Sequence, residues 1–157
     1  MALTGSAQRR AGLCGGEGSW GPNVEATSLW TVGRSNMKML FVEPPKHLWF
    51  VMGEYLPPPL GILELAGYLE GKMSDLEIEV LDCQASRLEW DGLERYIESY
   101  RPDIVASSSL STCNAYTTAQ TLATAKKVNV SILTVAGGQH FTATADESLR
   151  AYPEIDV

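Results

Sequence analysis

Residues 90–112 read WDGLERYIESYRPDIVASSSLST. The first half of this stretch places apolar residues at helical spacing, and Pro102 ends the predicted helix. Residues 103–108 then form a short run with Ile104, Val105 and Ala106 at its centre, which leads into a polar segment. A helix followed directly by a strand that is buried on both faces is the repeating unit of a parallel sheet.

Strands and helices alternate on both sides of this stretch. The predicted strands are 39–42, 78–82, 103–108 and 131–136, and the predicted helices are 60–70, 90–100, 114–127 and about 145–151. Residues 155–157 resemble the opening of a fifth strand that the end of the chain cuts off. Strict alternation requires parallel strands joined by right-handed crossovers, so we predict a three-layer α/β sandwich whose sheet has about five strands, the last truncated.

Composition divides the chain in two. Residues 1–36 hold 7 of the 14 glycines and show no convincing apolar period, so we expect a disordered or non-native tail there and a single domain over 37–157. The net charge of −7 argues against nucleic acid and anionic membranes as partners. Because no apolar run approaches the roughly 20 residues of a membrane span, we predict none. Cys14, Cys83 and Cys113 match no metal-binding spacing and leave an odd thiol, which favours the reducing cytoplasm.

Three loops of unusual composition follow the first, third and fourth predicted strands. They span 43–59, 108–112 and 137–142, and the parallel arrangement brings all three to one edge of the sheet. The first is rich in proline and large apolar side chains, which either cover a ligand or fold back onto the core. The second offers hydroxyls and backbone amides, which either suit a ligand bearing amides or phosphate or cap the next helix through Ser111 or Thr112. The glycine pair of the third lets a bulky group approach the backbone.

Common phosphate-binding and catalytic patterns are absent from these strand ends. The turn after the first strand reads EPPKH and holds no glycine, which excludes a GxGxxG or Walker loop there. No Asp ends the third strand, as a phosphoacceptor site would need, and no nucleophile elbow accompanies His47 or His140.

Four short motifs at the strand ends together resemble the cobalamin-binding domain found at the amino end of B12-dependent radical SAM enzymes. They are Pro44-Pro45, Pro58-Pro59-Leu60-Gly61, Ser108-Ser109-Leu110 and Gly137-Gly138-Gln139-His140-Phe141-Thr142. The match covers about 37–157. The resemblance implies a flavodoxin-like (Rossmann-like) sheet with the corrin ring lying over the carboxyl ends of the strands.

The resemblance also implies a set of cofactor-binding residues. The nucleotide tail of cobalamin would enter between the third and fourth strand-end loops, where a ligand with many amides and one phosphate needs hydroxyls, backbone donors and missing side chains. Ser108 and Leu110 would line the tail, and Gly137-Gly138 would leave room for it. Thr112 would reach its polar groups. His140 and Thr142 would lie near its nucleotide and the corrin amides. The implied residues are Ser108, Leu110, Thr112, Gly137, Gly138, Gln139, His140 and Thr142.

One feature of other cobalamin domains is absent. Those of mutases and methionine synthase carry Asp-x-His-x-x-Gly after the first strand, and that histidine coordinates cobalt. Here Pro45 stands two residues before His47 and Phe50 stands three after it. Many radical SAM relatives also lack the string, so we expect a surface or loop-packing role for His47 and predict no metal ligand from this chain.

The implied function is cobalamin binding by the amino-terminal module of a radical SAM enzyme of methyltransferase or cyclase type, without catalysis by this chain alone. In that family a [4Fe-4S] cluster on a CxxxCxxC motif cleaves S-adenosylmethionine, and we expect both groups in a following domain because the three cysteines here do not form the motif. One alternative is a free-standing corrinoid carrier or sensor. The other is a flavodoxin-like enzyme that binds a nucleotide or flavin, against which the prolines of the first loop argue.

Overall fold

The structure, a computed structural model, describes residues 36–45 and 57–157. Their strands are β1 (Met37–Glu43), β2 (Leu76–Asp82), β3 (Ile104–Ser108) and β4 (Leu133–Gly137). Their helices are α1 (Leu60–Glu70), α2 (Trp90–Tyr100), α3 (Ala115–Val128), α4 (Gln139–Ala143) and α5 (Ala145–Ala151), with a 3-10 turn at Thr112–Asn114 before α3. The alternation of strands and helices predicted from the sequence is confirmed.

The four strands form one parallel sheet in the order β2-β1-β3-β4. From β1 the chain moves outward to β2 and then returns past β1 to β3. Because right-handed crossovers in opposite directions lie on opposite faces of a sheet, α1 covers one face while α2 and α3 cover the other. This is the predicted flavodoxin-like α/β fold.

The two faces of the sheet bury different amounts of apolar surface. On the α2 and α3 face, the fully buried side chains Leu40, Leu93, Val105 and Leu122 form the larger core cluster. On the α1 face the core is smaller, and α1 buries only Ile62 and Ala66 against the sheet. Four apolar side chains of α1 stay exposed, namely Leu60, Leu63, Leu65 and Tyr68.

The described residues form four strands rather than the predicted five, but Val157 pairs with β4. The Val157 amide donates to the Thr134 carbonyl at 3.1 Å, and the Ala136 amide donates to the Val157 carbonyl at 2.8 Å. These two bonds have the pattern of a parallel pair, so Val157 lies beside β4 at the edge of the sheet.

The segment after β4 differs from the sequence prediction. Gly137 belongs to the strand, which begins at Leu133 rather than at residue 131, and most of the predicted loop 137–142 is the short helix α4. The helix forms because it buries Phe141, whose ring meets that of Tyr152 edge-on at 6.5 Å. The expectations for 1–35, for Cys14 and for the large apolar residues and His47 within 46–56 lie outside the described residues.

Candidate functional site at the carboxyl edge of the sheet

The chain changes direction at the carboxyl ends of β1 and β3. A sheet of this order opens a crevice where adjacent crossovers leave on opposite faces, and ligands of open α/β sheets bind there. Here α1 leaves β1 on one face and α3 leaves β3 on the other. The segments that follow β3 and β4 meet beside this crevice and carry every cofactor-binding residue predicted from the sequence.

Ser108 and Gly137 form a small notch at this edge. They are direct partners in the parallel register of β3 and β4, so they point to the same face, which is the α1 face of Ala106 and Val135. Ser108 is half-buried, and its hydroxyl makes no hydrogen bond with another described residue. A Cβ placed on Gly137 would meet no atom within 4 Å. The notch therefore combines a serine hydroxyl with open space where a side chain would stand.

An apolar strip continues from the notch along the α1 face. It consists of Ile104, Leu133 and Val135, all partly exposed, with Leu133 exposed to 42%. These residues remain accessible because α1 packs on β1 and β2, leaving β3 and β4 less covered on this side. A flat apolar group entering at the notch would find an apolar surface beneath it.

Ser109 joins the two strand-end segments. It is 1% exposed, and its amide donates to the Gly137 carbonyl at 2.9 Å while its carbonyl accepts from the His140 amide at 3.4 Å. Its hydroxyl donates to the Ser111 carbonyl at 2.6 Å. The segment after β3 is thus fixed to β4 and to the first turn of α4.

His140 and Thr112 make a second contact between the same segments. The Nδ1 atom of His140 lies 3.3 Å from the Thr112 hydroxyl, and the His140 ring meets that of Phe141 edge-on at 5.1 Å. The ring is therefore held in place from two sides.

The remaining predicted residues face solvent. Leu110 is exposed to 74%, and Thr112, Gln139 and Thr142 are exposed as well. None of these side chains caps a helix, and neither does Ser111, since no described helix has a side-chain cap. An apolar side chain held this far from the core is available to a ligand over the strand ends.

The edge formed by these two segments is uncharged. Residues 108–114 and 137–145 contain no Lys, Arg, Asp or Glu, and their polar groups are hydroxyls, amides and one imidazole. Carboxylates stand at the neighbouring ends of β1 and β2, where Glu43 accepts a hydrogen bond from the Gln84 side chain at 3.2 Å. Such a surface suits a ligand recognised by hydrogen bonds and shape rather than by charge.

A cavity lies at each of two opposite edges of the described part of the domain. One of about 170 Å³ lies beside the carboxyl edge between α4 and α5 and is lined by His140, Thr144 and Tyr152 among others. A larger one of about 370 Å³ lies at the opposite edge, beside Lys38 and Tyr100. There the Lys38 ammonium is already engaged by Glu77 at 3.2 Å and by the face of the Tyr100 ring. The carboxyl edge, where the Ser108 hydroxyl lies beside the open space at Gly137, is the better candidate.

Sequence reasoning missed the part played by Ser109. The signals in the sequence were its place in the motif Ser108-Ser109-Leu110 and in a run of three serines, of which the buried Ser107 hydroxyl also donates to the Val42 carbonyl at 2.9 Å. Two further absences bear on the site. The described residues contain no cluster of His, Cys, Asp and Glu able to hold a metal ion, and no helix among them is long and apolar enough to cross a membrane.

The parallel sheet with helices on both faces defines a flavodoxin-like α/β domain. The family model described as the B12 binding domain matches residues 51–157. The chain therefore belongs to the B12-binding domain family.

Two curated relatives are similar to this chain over most of its length. It is 32% identical over 125 residues, 77% of the chain, to an uncharacterized methyltransferase from Pyrococcus horikoshii. It is 34% identical over 124 residues, again 77% of the chain, to the anaerobic magnesium-protoporphyrin IX monomethyl ester cyclase from Rubrivivax gelatinosus. The matched region spans 26% of the first relative and 21% of the second.

Proposed function

We propose that this chain binds cobalamin with its nucleotide tail in the notch of Ser108 and Gly137. The observation that carries the proposal is the notch itself, an uncharged opening with one available hydroxyl and a missing side chain, beside the switch point of the sheet. The tail of cobalamin ends in a flat, mostly apolar base, which the apolar strip below the notch can accept. The membership of the B12-binding domain family supports the same ligand.

The other predicted residues take roles around the notch. Leu110 offers an exposed apolar contact at the mouth, and Thr112 with His140 offers polar groups on the side of α4. Gln139 and Thr142 supply exposed amide and hydroxyl groups for the amides of the corrin ring. Gly138 also belongs to this edge. When bound, cobalamin would supply its methyl-carrying chemistry above the strand ends.

We further propose that the chain works as one module of a longer cytoplasmic radical SAM protein. The cobalamin-binding domain is 37–157 with 1–36 preceding it, and a separate domain holds the [4Fe-4S] cluster and S-adenosylmethionine. Support comes from the two relatives, whose names state a methyltransferase and a cyclase and of which the chain matches about a quarter or less. Catalysis then belongs to the longer protein rather than to this module.

Cobalamin binding is tested with the purified 157-residue chain and hydroxocobalamin. We expect the visible absorbance of the cofactor to stay with the protein through desalting. At a hundredfold excess over Kd, the cofactor should raise the midpoint of thermal unfolding by about 5–10 °C. FMN and NAD should leave the midpoint unchanged. Protein that desalts free of colour, or that responds to FMN instead, would contradict the proposal.

A pair of serine variants locates the site. Ser108→Val removes the notch hydroxyl and fills the open space, so cobalamin affinity should fall about tenfold or more. Ser99→Ala, at the exposed end of α2 on the opposite edge of the sheet, is the matched control and should bind as the unmodified chain does. Equal affinities for all three proteins would show that the tail binds elsewhere.

A further inference from the structure

The two glycines at the end of β4 have different surroundings. Gly138 has a φ of +91°, which side chains of L-residues rarely allow, and a Cβ there would lie 2.8 Å from the carbonyl carbon and 2.9 Å from the nitrogen of Ser109. Gly137 has no positive φ, and a Cβ on it would enter open space. The clash at Gly138 is with backbone, which cannot move aside as a flexible side chain could.

The close approach at Gly138 makes the Ser109 contacts possible. With Gly138 against the Ser109 peptide, the Ser109 amide reaches the Gly137 carbonyl and the Ser109 carbonyl reaches the His140 amide. The Gly138 carbonyl accepts from the Thr142 amide at 3.0 Å, which closes the first turn of α4. One residue without a side chain therefore sets where both strand-end segments lie.

We propose that Gly138 is a positioning residue that locks the segment after β3 to α4 through the Ser109 backbone, whereas Gly137 belongs to the cobalamin notch of the proposed function. The first half concerns the protein without ligand and stands by itself. The second half rests on the proposed cobalamin site. Gly138 shapes the site without touching the cofactor.

The test compares Gly138→Ala with Gly137→Ala in the 157-residue chain. Without ligand, Gly138→Ala should lower the midpoint of thermal unfolding by about 5–10 °C, because the alanine strains both φ and the Ser109 contact. Gly137→Ala should leave the midpoint within about 2 °C of the unmodified chain, since its methyl group meets nothing. With hydroxocobalamin, Gly137→Ala should bind about tenfold more weakly.

Amide hydrogen exchange gives a local measurement that does not depend on a variant folding. In the unmodified, ligand-free chain the amides of Ser109 and His140 should be protected, because each donates to a carbonyl across the two segments. In Gly138→Ala these two amides should exchange at least about tenfold faster, while the amides of the buried strand β1 keep their protection.

The outcomes separate the two halves. Equal midpoints for Gly138→Ala and Gly137→Ala, or unprotected Ser109 and His140 amides in the unmodified chain, would overturn the positioning role. An unmodified chain that binds cobalamin no better than Gly137→Ala would overturn the ligand role of Gly137. Failure of the unmodified chain to bind cobalamin at all would count against the proposed function and leave the stability results to decide the role of Gly138.

Discussion

Cys83 and Cys113 show how far the surroundings of a single residue set its chemistry. Cys83 is fully buried just after β2, and burial together with the nearby carboxylates of Asp82 and Glu43 raises the pKa of its thiol to about 12. Cys113 is exposed in the 3-10 turn, with its sulfur 3.0 Å from the Ser111 hydroxyl. Because the thiolate is the reactive form, the two cysteines should differ in reactivity.

Thiol labelling tests this difference in a Cys14→Ser variant, which retains both described cysteines. At pH 8 a disulfide reagent such as Ellman's should modify Cys113 in the native protein and reach Cys83 only after denaturant is added. In a second variant that also carries Cys113→Ser, the native protein should take up no label. Rapid native labelling of Cys83, identified by mass spectrometry of the peptides, would contradict the burial described for it.

At the scale of elements, the side chain of Asp156 connects the end of the described chain to β4 and α3. One of its carboxylate oxygens accepts hydrogen bonds from the amide and the hydroxyl of Thr134, both at 2.9 Å. The same oxygen pairs with the ammonium of Lys126 in the last turn of α3, and that ammonium also donates to the Ile132 carbonyl at 2.9 Å. A single carboxylate thus joins β4, α3 and the opening of the next strand.

The pKa of Asp156 makes this junction sensitive to acid. Burial alone would raise its pKa, but the hydrogen bonds from Lys126 and Thr134 outweigh burial and lower it below the ordinary value of 3.8. A carboxyl whose pKa is lower in the folded state stabilises the fold above its unfolded pKa. The stabilisation is lost as pH falls through the folded pKa.

Asp156→Asn should lower the free energy of unfolding by about 1 kcal/mol at pH 7, because a partly exposed ion pair and charge-assisted hydrogen bonds are weakened. The difference from the unmodified chain should shrink as pH falls below the unfolded pKa of Asp156 and through its lower folded pKa. Urea unfolding at pH 7 and at pH 3 measures both effects, with the exposed Asp75→Asn as control. A difference that stays constant between the two pH values would contradict this account.

At the scale of the whole molecule, the sequence was sufficient to predict the layers of the fold and the residues at the carboxyl edge of the sheet. It was not sufficient to predict the contacts between those residues. Short apolar runs such as 39–42 identify strands because burial on both faces requires them to be apolar throughout. The contact of Gly138 with Ser109 joins residues 29 positions apart, and local periodicity carries no information about such a pair. Helix α4 was missed because its reason for forming, the burial of Phe141, exists only once the domain has folded.

The central position of β1 also has a consequence for how the chain reaches this fold. Met39 pairs with Ile78 and with Ile104, which stand 39 and 65 positions further along the chain. Parallel pairs of this kind close long loops before their contacts are made, and proteins dominated by them fold slowly. Refolding from urea, followed by stopped-flow Trp fluorescence, should therefore take milliseconds to seconds. Completion within tens of microseconds, as in small helical bundles, would mean that β1 is not the strand around which the sheet must assemble.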